Sequence, residues 1–216
     1  MTLHAQLLVL AKQPLPGRAK TRLTPPLRPE QAAAVARAAL LDTLEAVAAV
    51  PVLRRTVVLD GSPEGWLPDG FAVLPQRPGD LGERLAGAFD DAYRALPVPL
   101  LLIGMDTPQV TASLLAGSLA LLLEPGTPSV LGPADDGGWW ALGLRAPCAG
   151  LFDGVPMSTD RAGAVQRERL EALDLPPVLL PALRDLDHVE DVRVIAAQLP
   201  RTARLAALAA ELGLAP

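Results

Sequence analysis

Apolar positions along the chain fall into two alternating rhythms. Short, nearly continuous apolar runs occur at 5–11 (AQLLVLA), 54–60, 71–75, 99–106 (PLLLIGMD) and 177–183. Such runs predict strands buried on both faces. Between them lie longer stretches with helical spacing. The first, 29–49, opens on Pro29 and Glu30, a helix-start signature. The second, 80–96, opens on Asp80 and Glu83 at capping-box spacing. Further helices are predicted at 111–124 and 158–173, and two more close the chain. SVLGPA and WWALGLR flank the turn DDGG at 135–138 and predict a hairpin. Strand–helix alternation predicts βα units around a mainly parallel sheet covered on both faces. No linker, repeat or low-complexity segment interrupts it, so 1–216 reads as a single α/β domain. Ligands of such sheets sit at the carboxyl ends of the strands, which directs attention to the loops after residues 11, 75, 106 and 183.

Composition changes this picture in a few places. Net charge is −5, which argues against non-specific nucleic-acid binding. No apolar run approaches the roughly 20 residues that span a bilayer, and the N-terminus lacks the pattern of a signal peptide. The 23 prolines punctuate loops and imply stiff connections. Cys148 is the only cysteine, so no internal disulfide forms and a cytoplasmic setting is expected. Its Pro-Cys-Ala-Gly context offers no activating group, which makes it structural.

On this acidic background one loop is locally basic. AKQPLPGRAKTRL holds both lysines of the chain, Lys12 and Lys20, with Arg18, Arg22 and Gly17; every other basic residue is arginine. Lys and Arg are not interchangeable at a close contact. A glycine-bearing cationic loop between a first strand and a first helix suits phosphate. It is not a P-loop, because the glycines that motif needs would fall at Pro14 and Ala19. Four cations so close together repel unless an anion or acidic partner compensates. The alternative is a solvated basic surface loop.

Two acidic segments are the natural counterparts. Asp106 ends the most apolar strand in GMDTP. A carboxylate there needs a cation or donors, and magnesium fits because it bridges one or two carboxylates to phosphates. The competing role is a helix start, with Thr107 as cap and Pro108 as first helical residue. Those two suffice for that job, which leaves Asp106 free. Asp187, in RDLDHVED, is open between a metal role and a capping box with Glu190 for a helix beginning at His188. Asp185 lies on the same side if the segment is extended. Trp139 and Trp140 face opposite ways on a strand, so one can enter the core and the other line a cleft. Gly82 and Arg84 open the second helix, where a base or ribose could approach; an ordinary helix start is the alternative.

Together these segments resemble the DUF2064 family, glycosyltransferase-like proteins of the GT-A / nucleotidyltransferase superfamily. The resemblance is carried by AKQPLPGRAKTRL, QRPGDLGERL at 76–85, GMDTP, GPADDGGWWALGL, VPMSTD at 155–160 and DLDHVEDV at 185–192. The family usually has Tyr after the DDGG turn and Trp before Ser-Thr-Asp, where this chain has Trp139 and Met157. The resemblance implies a three-layer α/β/α nucleotide-diphospho-sugar transferase-like (GT-A) fold, its mainly parallel mixed sheet carrying a mixed strand near 139–145. It implies a Mg2+ (or Mn2+) ion held by Asp106 and Asp187. Lys20, Arg22 and Asp106 are then the catalytic set. Lys12, Gly17, Arg18, Gly82 and Arg84 complete a nucleotide site. Asp136, Gly137, Gly138, Trp139, Ser158, Thr159, Asp160 and Arg161 form an acceptor side.

The implied reaction is attack of a small phosphorylated acceptor on the α-phosphate of a nucleoside triphosphate, releasing pyrophosphate. Such chemistry needs positioning and charge neutralisation more than a general base. The main alternative is a glycosyltransferase using a nucleotide sugar. Those enzymes commonly place Asp-x-Asp at the strand end, where this chain has Gly104-Met105-Asp106. A second alternative is a non-catalytic nucleotide binder, which would need the loop but not both Asp106 and Asp187.

Overall fold

A computed structural model of the chain describes residues 2–63 and 65–214. The chain runs β1 (Leu3–Lys12), α1 (Pro29–Ala48), β2 (Val52–Asp60), β3 (Ala72–Pro75), α2 (Leu81–Ala95), β4 (Leu100–Gly104), α3 (Ala112–Leu123), β5 (Ser129–Pro133), β6 (Trp139–Leu144), α4 (Ala162–Ala172), β7 (Pro177–Leu179), α5 (Val189–Gln198) and α6 (Arg204–Glu211). The strands form one sheet in the order β3-β2-β1-β4-β6-β5-β7. β6 runs antiparallel to both of its neighbours, and every other pairing is parallel. It is the mixed strand expected near 139–145.

The period-two alternation of strand side chains divides the interior into layers. From β1, Leu7, Val9 and Ala11 enter one cluster, together with Leu40 and Leu44 of α1 and Leu115 and Leu119 of α3. Leu8 points the other way and meets Leu85 and Phe89 of α2 and Leu170 of α4. The sheet is therefore covered on both faces, a three-layer α/β/α arrangement. A third cluster lies outside the sheet. There α1 contributes Ala32, Val35 and Ala39 against Val192 and Ile195 of α5 and Leu205 and Ala209 of α6. Helix α1 is thus buried on two sides, which accounts for its small, alanine-rich surface. No described helix is long and apolar enough to cross a membrane.

Several boundaries differ from expectation, and the differences bear on the site. β4 stops at Gly104, and the next helix begins at Ala112. Its cap is Thr111, whose hydroxyl accepts the Leu114 N–H at 3.1 Å. Thr107 and Pro108 therefore do not start that helix; they lie with Asp106 in the loop between. α5 begins at Val189, and Asp191, not Glu190, folds back to accept the N–H groups of His188 (2.7 Å) and Asp187 (3.1 Å). The Asp187 side chain is consequently not a cap. α4 starts at Ala162, not 158, because Ser158 is left-handed (φ 62°) and breaks the helical run. β7 ends at Leu179, and beyond it only Leu183 bridges, to Ala134. The capping box of α2 forms as expected, with Asp80 and Glu83 each accepting the other's backbone N–H at 2.9 Å.

Candidate active site

The loops at the carboxyl ends of β1, β3, β4 and β5, the last being the turn that enters β6 at its amino end, converge on one face. The first of them folds back over the sheet edge and enters a short 3₁₀ turn at Thr21–Leu23. Leu23 and Leu27 anchor it in the third cluster, beside Leu186. Lys20, immediately before the turn, is left-handed at φ 50° and ψ 44°. For a residue with a Cβ this conformation is uncommon, and it aims the side chain inward.

That side chain is the centre of the site. Lys20 Nζ lies 2.8 Å from Asp106 Oδ1 and 3.1 Å from Asp187 Oδ1, with only 8% of the side chain exposed. The second Asp187 oxygen is held by Arg22 Nη1 at 2.7 Å. The two aspartates, far apart in sequence, thus converge on a single cation across the first loop. The backbone enforces this: Leu186 N–H donates to the Asp106 carbonyl at 2.8 Å. Burial works against the Lys20 ammonium, but Asp106 and Asp187 outweigh it and raise its pKa above the ordinary value. Burial likewise opposes the Asp187 carboxylate, and Lys20 and Arg22 overcome it, lowering its pKa. Asp185 has the opposite balance. Burial first, then the charges of Asp106, Asp136 and Asp187, push it up to about 7 against the pull of Lys20.

Around this centre lies a cleft of about 450 Å³. Lys12, Arg22, Asp106 and Asp187 line its inner end and also an adjoining depression of about 240 Å³ that contains Arg18 and Lys20. Arg84, Asp136, Gly138, Trp139, Ser158 and Thr159 line the rest of the cleft. Arg84 is held there by Gln76, whose Oε1 accepts its Nη1 at 3.1 Å. Gln76 is itself fixed by donating to the carbonyls of Ala11 (2.8 Å) and Val58 (3.1 Å). Trp139 stacks on Phe152, centroids 6.4 Å apart and planes within 14°. Trp140 is fully buried and donates to the Pro181 carbonyl at 3.0 Å. The two tryptophans therefore divide between cleft and core.

Other expected residues stand elsewhere. Gly82 lines a separate cavity of about 610 Å³, packed toward Phe152. Gly17 lies at an exposed turn with φ 71° and open space where a side chain would go. Arg161 is exposed in the turn before α4, its N–H donating to Thr159 Oγ1 at 3.3 Å. Neither it nor Asp160 lines the cleft. Gly137 acts by close packing: at φ 88°, a Cβ there would lie 2.0 Å from the Asp160 carbonyl oxygen. The hairpin turn is thereby seated on the start of α4, a contact completed by Gly163 N–H donating to the Gly137 carbonyl at 2.8 Å.

Gln76, Asp185 and Thr107 also line the cleft and were not assigned from sequence. Asp185 had a signal in its two-residue spacing from Asp187. Gln76 had one in its place at the end of β3.

The basic loop is less bare than its sequence suggests. Arg18 approaches Asp60 at 3.7 Å, and Lys20 and Arg22 have the partners given above. Among the described residues, only Lys12 of the four has no ion-pair partner.

The family model described as "Uncharacterized protein conserved in bacteria (DUF2064)" matches residues 40–159. A Desulfovibrio desulfuricans G20 protein, described provisionally as a nucleotide-diphospho-sugar transferase, superposes with a TM-score of 0.88 at 26% identity, covering 99% of this chain and 97% of that one. CMP:2-keto-3-deoxy-manno-octonic acid synthetase, solved with CTP, gives a TM-score of 0.59 at 12% identity over 90% of this chain and 99% of that one. Rv0371c from Mycobacterium tuberculosis H37Rv, solved with manganese, gives 0.50 at 18% identity over 90% and 98%. The last two establish likeness of fold. No curated protein sequence matches the chain.

Proposed function

From a chain that belongs to the DUF2064 family and folds like the nucleotide-handling transferases, we propose a metal-dependent nucleotidyltransferase. It works as one domain in the cytoplasm and moves a nucleoside monophosphate from a triphosphate to a small phosphorylated acceptor. The observation that carries this reading is the convergence of Asp106 and Asp187 on Lys20 beside the cleft. A non-catalytic binder would not need both acids at one point.

The donor set suits a hard divalent cation. Asp106 and Asp187 offer carboxylate oxygens at a common position, with Asp185 close enough to be perturbed by both. Among the described residues no group of three or more acidic, His or Cys side chains forms a cage. Magnesium relies on one or two carboxylates, with water and substrate phosphates for the rest. Bound there, Mg2+ or Mn2+ would neutralise phosphate charge and polarise the phosphoryl group.

The chain's own groups do the remainder. Lys12 and Arg18 hold the outer phosphates, and Lys20 and Arg22 face the transferred one. An acceptor phosphate oxygen attacks the α-phosphorus; the bond to the bridging oxygen breaks, and pyrophosphate leaves with that electron pair. The acceptor is already anionic, so the step requires charge complementarity and alignment, not proton abstraction. Trp139 and the Ser158-Thr159 turn form the acceptor wall, with Arg161 as the nearby cation.

A second reading, glycosyl transfer from a nucleotide sugar, has specific support. The Desulfovibrio protein is described as a nucleotide-diphospho-sugar transferase, a wording compatible with a nucleotide-sugar donor, and its structure is highly similar. In addition, three of the four loop cations already face carboxylates, which reduces the need for a triphosphate's full charge. A melting screen separates the two. Each triphosphate and each common nucleotide sugar is added with Mg2+ or Mn2+. A ligand at 100 times its dissociation constant adds about 2.7 kcal/mol of stability. Stabilisation by a triphosphate above that of its sugar diphosphate counterpart supports nucleotidyl transfer; the reverse order moves the assignment to glycosyl transfer.

A further inference from the structure

We propose that Lys20 is a displaceable internal cation. It holds Asp106 and Asp187 together in the free protein, and yields them to a divalent metal when polyphosphate takes its ammonium. The inference rests on the metal site of the preceding reading and concerns how that site is filled.

Three observations carry it. The ammonium is shared between the two carboxylates at 2.8 and 3.1 Å, and its side chain is almost fully enclosed. Arg22 takes the remaining Asp187 oxygen at 2.7 Å. The Lys20 backbone sits in the left-handed region, a conformation kept only where its surroundings impose it. The acids therefore already have cations. A divalent ion on the same two carboxylates would share them with the ammonium, and like charges at such range repel strongly.

Polyphosphate changes the balance. It offers only acceptors, and Lys20 lines the same depression as Lys12, Arg18 and Arg22. An ammonium drawn to phosphate leaves its carboxylates to the metal. Metal and polyphosphate should then assist each other's binding to the same extent. Metal alone should bind poorly, because Lys20 occupies its place.

The test is binding of Mn2+ alone to the full chain, read from the paramagnetic resonance signal of free Mn2+. Lys20→Met should bind Mn2+ at least about tenfold more tightly than wild type, a coupling of ordinary size. Adding Asp187→Asn to Lys20→Met should reverse most of that gain. Lys20→Gln is measured in parallel, so a folding defect in the methionine variant does not decide the result. A Lys20→Met chain that folds only with Mn2+ present would also support the proposal. Equal or weaker Mn2+ binding in both Lys20 variants overturns it. If Asp106→Asn then still abolishes wild-type Mn2+ binding, the metal site itself stands. No Mn2+ binding by any variant, with or without triphosphate, overturns both.

Discussion

Two ion networks in this protein use the same groups to different ends. At the edge of the third cluster, Arg204 of α6 reaches Asp42 at 3.2 Å and Glu45 at 2.5 Å on α1. Asp42 also accepts the backbone N–H groups of Arg204 (3.0 Å) and Leu205 (2.9 Å), and so caps α6. This network closes a helix against its neighbour. Around Lys20, two acids compete for one enclosed ammonium at the foot of a cleft, on a backbone in an uncommon conformation. An ion pair by itself marks no site. Sharing of one buried charge, with a cleft beside it, distinguishes the second network from the first.

The largest effect should follow from removing what holds the second network in place. Leu186 is fully buried in the third cluster, and its N–H ties the Asp187 segment to Asp106. Leu186→Ala should lower unfolding free energy by about 2–5 kcal/mol, as for other buried leucines. It should also weaken metal and triphosphate binding, since both acids lose their register. Denaturant unfolding and calorimetric titration measure the two effects. Loss of stability with unchanged binding would show that the site does not depend on this anchor.

Asp42→Ala should show the contrary pattern. Loss of a cap costs about 1 kcal/mol, and ligand binding should stay within twofold of wild type, about 0.4 kcal/mol. A binding defect comparable to that of Leu186→Ala would join the two networks into one.

The smallest effect should come from a third network, Arg77 with Asp91 and Arg94 on α2. The Arg77 hydrogen bond, acting against burial and helped by both arginine charges, holds the Asp91 pKa below its ordinary 3.8. A depressed folded-state value gives stability that is present above pH 3.8 and disappears as pH falls through the folded value. Exposure limits it to about 1 kcal/mol or less. Urea unfolding of wild type and Asp91→Asn should differ at pH 7, and the difference should shrink as pH falls below 3.8; a constant difference would contradict the assignment.

Much of this was legible in the sequence. The apolar runs gave the strands, and Asp80 with Glu83 gave the start of α2. The clustering of Lys12 and Lys20 singled out the first loop. What sequence could not supply was partnership at long range. The choice of Thr111 over Thr107 as cap, and of Asp191 over Glu190, depends on where each segment is pinned by tertiary contacts. Those choices freed Asp106 and Asp187, and only the fold brings them onto Lys20. Gly82 and Gly137 do not line the cleft, for a related reason. Their value lies in packing against Phe152 and the Asp160 carbonyl, which spacing along the chain does not reveal. The third cluster was hidden because helices α5 and α6 give no hint from sequence of which surface they cover.

Nucleotidyl transfer at the Asp106–Lys20–Asp187 centre is open to direct measurement. Its most direct test is pyrophosphate release on incubation with each triphosphate, Mg2+ or Mn2+, and a pool of phosphorylated metabolites. Release should require both metal and acceptor and fall on the order of 10²–10³-fold in Asp106→Asn, the usual loss on removing one electrostatic contact to a transition state. No pyrophosphate from any mixture, alongside turnover of a nucleotide sugar, would contradict it.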